Sequence, residues 1–129
     1  MMNKILVAVD GSALSLKALE FAVSMAKAYF DEIRLINVQP FHQILGENIM
    51  KEAEASLQHL NVLYTTTIRT GTQPAIEIVS EAKDESIRCI VMGSKGVGNS
   101  SNDLGSVSSA VLSMAPRPVV IVPSNQRND

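Results

Sequence analysis

At 129 residues the chain is long enough for one domain with one hydrophobic core. Apolar residues make up 46% and charged residues 19%, which is typical of a globular protein and not of a disordered one. The net charge of −2 argues against nucleic acid as a partner, and no apolar run approaches the ~20 residues of a membrane span. The lone cysteine, Cys89, excludes an internal disulfide, and the absence of a secretory signal predicts a cytoplasmic protein.

Strand and helix patterns alternate in the first half of the chain. Residues 4–9 form a continuous apolar run typical of a buried central strand, which an Asp-Gly-Ser turn ends. Residues 13–30 follow a helical pattern whose apolar side chains recur at spacings of three and four, with Phe21 on the apolar face. A second strand is predicted over 32–38 and a second helix over 46–60.

The third strand and the third helix are predicted on either side of a short loop. Residues 62–69 are strongly β-forming but polar, with three consecutive threonines, which indicates a strand at the edge of the sheet. Pro74 then begins a helix predicted over 74–83, since proline is tolerated in a first helical turn. We expect Ile76 and Ile78 on the buried side of this helix.

A glycine-rich loop separates the fourth strand from the last helix. The apolar run at 87–92 predicts a buried strand, in which the cysteine is a small core residue. A helical pattern follows over 106–114, and two prolines stop it. A fifth strand is predicted over 118–122, and residues 124–129 form a polar tail.

The alternation of five strands with four helices predicts an α/β fold, a five-stranded parallel sheet with helices on both faces. The flavodoxin-like (Rossmann-like) strand order 3-2-1-4-5 is common for such chains, and its direction reverses between strands 1 and 4. Ligands bind beyond the carboxyl ends of these strands, where this chain has the turn at 10–12 and the glycine-rich loop at 93–105. Glycines let the backbone approach an anion, and the first N–H groups of the next helix point at it. The loop either holds a phosphate or is only a turn rich in glycine.

Five stretches of the chain together resemble the universal stress protein family. They are Ile-Leu-Val-Ala-Val-Asp-Gly-Ser at 5–12, Gly71 with Pro74-Ala75, Ile-Val-Met-Gly-Ser-Lys-Gly at 90–96, Leu-Gly-Ser-Val at 104–107 and Arg-Pro-Val-Val-Ile-Val at 117–122. The resemblance covers nearly the whole chain. It implies one domain of this family over 1–123, followed by the polar tail.

The glycine-rich loop resembles that of the family's ATP-binding branch. The pattern of that branch is a glycine, two residues, a second glycine, nine residues, and then glycine with serine or threonine. This chain has Gly93, Gly96 and Gly105-Ser106, but eight residues separate Gly96 from Gly105. The resemblance implies ATP, or AMP or ADP, as the ligand, with or without magnesium. It implies a nucleotide site composed of Ala8, Val9, Asp10, Val38, Met92, Gly93, Lys95, Gly96, Gly105, Ser106 and Val107.

Several of these residues also have an ordinary structural interpretation. Asp10 either caps the following helix or offers its backbone and carboxylate to the nucleotide, and the two roles are compatible. Val38 and Met92 either sandwich an adenine or pack at the ends of their strands. The N–H groups of Ser106 and Val107 either face phosphates or begin an unliganded helix.

The sequence shows no strong catalytic constellation. Lys95 either screens phosphate charge or is simply solvated, and it does not belong to a P-loop pattern. Asp103 near phosphates requires a bridging metal ion, and no carboxylate pair is evident for one. His42 and His59 lack metal-like spacing, and no serine belongs to a triad motif. We therefore expect slow ATP hydrolysis at most.

Three functions are consistent with the sequence. The first is an adenine-nucleotide-binding protein with a regulatory role in the stress response. The second is a dimeric interaction module without nucleotide, which the shorter loop favours, and the third is a weak ATP hydrolase. In all three, we expect the apolar strand Val119–Val122 at the edge of the sheet, where it promotes aggregation unless another surface covers it. The resemblance implies a homodimer that pairs through this strand.

Overall fold

The structure, a computed structural model, describes residues 2–41, 43–97 and 103–124. His42, residues 98–102 of the glycine-rich loop and the tail from 125 onward lie outside the described residues. The strands are β1 (Lys4–Ala8), β2 (Glu32–Gln39), β3 (Tyr64–Thr70), β4 (Ile87–Gly93) and β5 (Val119–Val122). The helices are α1 (Ala13–Tyr29), α2 (Gln43–Leu57), α3 (Pro74–Glu81) and α4 (Ser106–Met114).

The five strands form one parallel sheet in the order β3-β2-β1-β4-β5, which confirms the predicted topology. The central strand is β1, and its residues Ile5, Leu6 and Val7 are completely buried. A strand covered by helices on both faces has no polar side, which is why its sequence is continuously apolar. The polar strand β3 and the short β5 form the two edges, as predicted.

Helices cover both faces of the sheet, because successive side chains of a strand point to opposite sides. Ile5 and Val7 belong to one apolar cluster, which α1 and α2 cover with small and aliphatic side chains. Leu6 belongs to the other cluster, which contains Ile78 from α3 and Val111 from α4. Both layers extend to the carboxyl ends of the strands, where they frame the loops after β1 and β4.

The prediction of the second helix over 46–60 is wrong at both ends, since α2 begins at Gln43 and ends at Leu57. Gly46 is therefore inside the helix, where a buried contact with the sheet leaves no room for a side chain. Asn61 takes a left-handed conformation with φ of 52° shortly after the helix. His59 accordingly lies beyond α2, in an exposed turn.

Two apolar residues predicted on buried helix faces are exposed. Phe21 is 45% exposed, because the buried stripe of α1 is centred on Ala18, Leu19 and Ala22. Ile76 is 46% exposed, because the short helix α3 buries only a narrow face. Helical spacing identifies an apolar face, but the packing partners determine how wide that face is.

Cys89 is a core residue of β4, as predicted. Burial raises the pKa of its thiol, so the side chain is an uncharged apolar group at neutral pH. Among the described residues, no helix is both long enough and apolar enough to cross a lipid bilayer.

Candidate functional site

A cavity of about 320 Å³ opens at the carboxyl ends of β1, β2 and β4, where the strand order reverses. This volume lies within the range of small-molecule sites, about 300–1,000 Å³. Every residue that the sequence predicts for the site lines this cavity: Ala8, Val9, Asp10, Val38, Met92, Gly93, Lys95, Gly96, Gly105, Ser106 and Val107. The fold therefore brings segments that are up to a hundred residues apart in sequence into one concave surface.

The cavity also has lining residues that the sequence did not predict: Ser15, Ile36, Asn37, Pro74, Ile78, Val97 and Ser108. Asn37 carried a local signal, since it is a carboxamide flanked by apolar residues, Leu35-Ile36 before it and Val38 after it. Pro74 belongs to one of the stretches that resemble the family, but nothing in the sequence placed it beside β2. The packing of α3 over β2 places Pro74 and Ile78 in one wall of the cavity.

The turn after β1 is held by side-chain hydrogen bonds. Gly11 has φ of +89°, a conformation that L side chains rarely adopt. Ser12 is the N-cap of α1, and its hydroxyl accepts from Ser15 N (3.1 Å). The Asp10 carboxylate accepts from the backbone N–H and the hydroxyl of Ser12, at 2.9 and 2.6 Å. Asp10 therefore orders the turn, whereas Ser12 supplies the helix cap.

The same carboxylate connects the turn to the glycine-rich loop. Asp10 Oδ2 accepts from Val97 N at 3.2 Å. A Cβ on Gly96 would lie 2.7 Å from this oxygen, closer than a carbon atom and an oxygen atom can approach. Gly96 thus allows the loop to approach the turn after β1, and together they form one side of the cavity.

The edge of the cavity at β2 carries two backbone groups that point away from β3. Even-numbered residues of β2 direct their N–H and C=O groups at β1, as the bond from Val9 N to Ile36 O shows (2.9 Å). The ladder between β1 and β2 ends at Ala8 and Ile36. The next acceptor, Val9 O, is occupied by Asn37 Nδ2 at 2.7 Å. Within the described residues, neither the N–H nor the C=O of Val38 has a hydrogen-bond partner.

The N-terminus of α4 forms another wall of the cavity. Its N-cap is Gly105, which has no side chain to bond the first turn, and this turn contains no acidic residue. The first bond of the helix runs from Ser109 N to Gly105 O, so the N–H groups of residues 106–108 have no acceptor within the helix. Residues 105–108 line the cavity, so the positive end of the helix dipole and the first-turn N–H groups lie at this wall.

The two ends of the glycine-rich loop are held together by the carbonyl of Ser94. This oxygen accepts from Gly105 N and from the buried hydroxyl of Ser108, both at 2.7 Å. Ser94 N in turn donates to Val122 O of β5 at 2.9 Å. The position of the α4 N-terminus is thus fixed by bonds outside the eight-residue stretch between Gly96 and Gly105.

The charged side chains that line the cavity are Asp10 and Lys95, and Lys95 is only 9% exposed. Over residues 2–41, 43–97 and 103–124, no group of three or more His, Cys, Asp or Glu side chains is arranged to hold a metal ion. The described part of the cavity therefore offers N–H donors for an anion at the start of α4. It also offers one N–H donor and one C=O acceptor, both of Val38, for a planar polar group.

Comparison with known proteins agrees with this fold and with the motifs. The model of the universal stress protein family matches residues 1–123. Universal stress protein YxiE of Bacillus subtilis is 33% identical, over 95% of this chain and 99% of that protein. The solved structure of hypothetical protein MJ0577 has a TM-score of 0.82 and 26% identity, over 98% of this chain and 99% of the other. A universal stress protein from Archaeoglobus fulgidus, solved in complex with dAMP, has a TM-score of 0.77 and 21% identity, over 94% of this chain and 97% of the other. The chain belongs to the universal stress protein family.

Proposed function

We propose that this protein binds an adenine nucleotide in the cavity at the ends of β1, β2 and β4, and that it has a regulatory role in the stress response. One observation carries the proposal: among the described residues, two walls of the cavity carry backbone groups without a hydrogen-bond partner, and the groups differ between the walls. The N–H and C=O of Val38 suit a nucleobase, and the N–H groups at the start of α4 suit a phosphate. The dAMP complex of the Archaeoglobus relative supports the class of ligand.

The groups of Val38 favour adenine over guanine. Adenine presents a ring acceptor, N1, beside an amino donor, so it complements one N–H and one C=O of a strand. Guanine presents a donor where adenine has its acceptor, and an acceptor where adenine has its donor. In the same position it would place donor against donor and acceptor against acceptor. Buried polar groups left unpaired are costly, so this edge discriminates strongly between the two bases.

The α4 wall suits the phosphate of the same molecule. Val38 lies on β2 and α4 follows β4, so β1 separates the two walls by two strand spacings, about 10 Å. A ribose bridges such a gap. Gly93 and Gly96 line the intervening surface, and Lys95 adds positive charge near the anion. A magnesium ion bound to a di- or triphosphate would take most of its ligands from phosphate and water.

We expect AMP to bind this protein at least about tenfold more tightly than GMP. Isothermal titration calorimetry with AMP and GMP measures this preference. Titrations with ATP, alone and with magnesium, show how affinity depends on the length of the phosphate chain. Equal affinities for AMP and GMP would exclude base recognition by Val38. No heat and no thermal shift with any adenine nucleotide at millimolar concentration would favour the interaction module without nucleotide. A phosphate-release assay on the same sample tests ATP hydrolysis.

We also propose that the protein is a homodimer that pairs through β5. The four residues of this edge strand are all apolar, and each is only partly buried in the single chain. Pairing two copies would cover the strand and satisfy its outer backbone groups. Static light scattering at micromolar concentration should give twice the chain mass of 13.9 kDa. A mass of one chain would contradict the dimer.

A further inference from the structure

Four charged side chains join α3 to the two outer strands on its side of the sheet. Arg69 of β3 binds Glu77 (2.9 Å) and Glu81 (3.1 Å), both on α3. Arg34 of β2 binds the other oxygen of Glu81 at 2.9 Å and also Thr65 at 3.1 Å. All four charged side chains are partly buried, and Glu81 is only 13% exposed. Shared, partly buried ion pairs hold geometry better than isolated pairs on the surface.

Arg69 lies at the level of the cavity. It is paired in register with Val38, so the two side chains point to the same face of the sheet. Its partner Glu77 lies on α3 between Pro74 and Ile78, the two residues of this helix that line the cavity. The pair from Arg69 to Glu77 therefore connects the strand position beside Val38 with the helix wall that faces Val38.

Buried Ala75 and Ile78 pack α3 against the sheet, and the pair of Arg69 and Glu77 adds a polar tie near the start of this helix. The helix has eight residues, and its N-cap, Gln73, makes no side-chain capping bond. A Cβ on Gly71 would lie 2.7 Å from Glu77 Oε2, so this glycine leaves room for the carboxylate. Gly71 N also donates to Gln39 O at 2.9 Å, which holds the β3–α3 connection against the end of β2. The connection is thus fitted closely around the ion pair.

We propose that Arg69, acting through Glu77 and Glu81, is a positioning residue that sets the width of the base slot between Val38 and the wall formed by Pro74 and Ile78. The inference rests on the proposed nucleotide function, because it concerns the base end of the same cavity. Arg69 itself does not line the cavity. A base is gripped only when both walls stand at the correct spacing, so releasing α3 should weaken contacts to the base and leave the phosphate end unchanged.

The test is an Arg69→Met variant, which keeps an unbranched aliphatic side chain but removes both ion pairs. We expect its dissociation constant for AMP to rise about fivefold, and that for ribose 5-phosphate, measured by competition, to stay within about twofold. Arg34→Met is the matched control, since it also removes a bond to Glu81 but leaves the bond between Arg69 and Glu77 intact. It should change AMP affinity less than about twofold. Arg69→Lys keeps the charge but cannot bind two carboxylates at once as the guanidinium does. Its dissociation constant for AMP should lie between those of wild type and Arg69→Met.

The outcomes separate this inference from the proposed function. Wild-type protein that binds neither AMP nor ribose 5-phosphate would overturn both. If wild-type protein binds AMP and the Arg69→Met variant binds AMP with the same affinity, the positioning role alone would be overturned. Equal losses for AMP and ribose 5-phosphate, or equal effects of the two Met variants, would also overturn it, because either indicates general destabilisation. If circular dichroism shows that Arg69→Met is unfolded, the Arg69→Lys variant decides, and AMP affinity equal to wild type would overturn the inference.

Discussion

Replacing Ser106 with proline is expected to weaken AMP binding about 30-fold, because proline removes one of the backbone donors that would face the phosphate. A hydrogen bond to a charged group contributes about 1.5–3 kcal/mol, and its loss here leaves a phosphate oxygen without that partner. The proline ring also occupies space on the side from which the anion approaches. Isothermal titration calorimetry measures the change.

The fold should tolerate this substitution. Ser106 is the first residue of α4, where an N–H has no partner within the helix and where proline is favoured. The preceding residue, Gly105, has φ of −66° and ψ of 162°, the extended conformation that a residue before proline prefers. We therefore expect the free energy of unfolding to change by less than about 1 kcal/mol.

Two controls isolate the backbone donor. Adenosine, which lacks the phosphate, should bind the Ser106→Pro variant as it binds wild type. Ser106→Ala removes only the hydroxyl and should weaken AMP binding by about threefold at most. If Ser106→Pro bound AMP with wild-type affinity, the phosphate would not lie at the start of α4.

The strand order was predictable because burial leaves a direct mark on composition. Only a strand covered on both faces can be as apolar as residues 5–7, and only an edge strand can carry the polar run at 65–67. The position of the cavity followed from the strand order alone. The ends of helices were harder to predict, since Gly46 resembles a helix start in sequence, and only its contact with the sheet explains why it is inside α2.

The base end of the site was predictable in position but not in its hydrogen bonding. The sequence predicts a first strand over 4–9, whereas β1 ends at Ala8. The end of β1 at Ala8 matters, because Val9 O then pairs with the Asn37 side chain, and the N–H of Val38 has no partner among the described residues. Strand register and a buried amide decide that outcome. Register has no local sequence pattern, and the sequence around Asn37 marks a polar residue in a strand without identifying its hydrogen-bond partner. The wall from α3 was missed for a related reason, since Pro74 and Ile78 come from a distant segment.

The buried amides at the end of β2 also explain the glycine inside α2. Gln39 Nε2 donates to Asn37 Oδ1 at 2.9 Å, which fixes the Asn37 side chain while its own amide caps Val9 O. A Cβ on Gly46 would lie 2.9 Å from Asn37 Oδ1 and 3.0 Å from a methyl carbon of Ile68. The helix therefore packs against the sheet with backbone alone at this point, and a larger residue would have to displace a satisfied buried amide.

Gly46→Val is accordingly expected to lower the free energy of unfolding by about 2 kcal/mol, the cost of overpacking a close-packed contact. Urea denaturation monitored by circular dichroism, at several protein concentrations to allow for dimerisation, measures the change. Asn48→Val is the matched control, since it places the same β-branched residue at an exposed position of the same helix. It should shift the free energy of unfolding by less than about 0.5 kcal/mol. Equal shifts for the two variants would mean that contact with the amides of β2 does not select glycine at this position, since glycine has a lower helix propensity than valine.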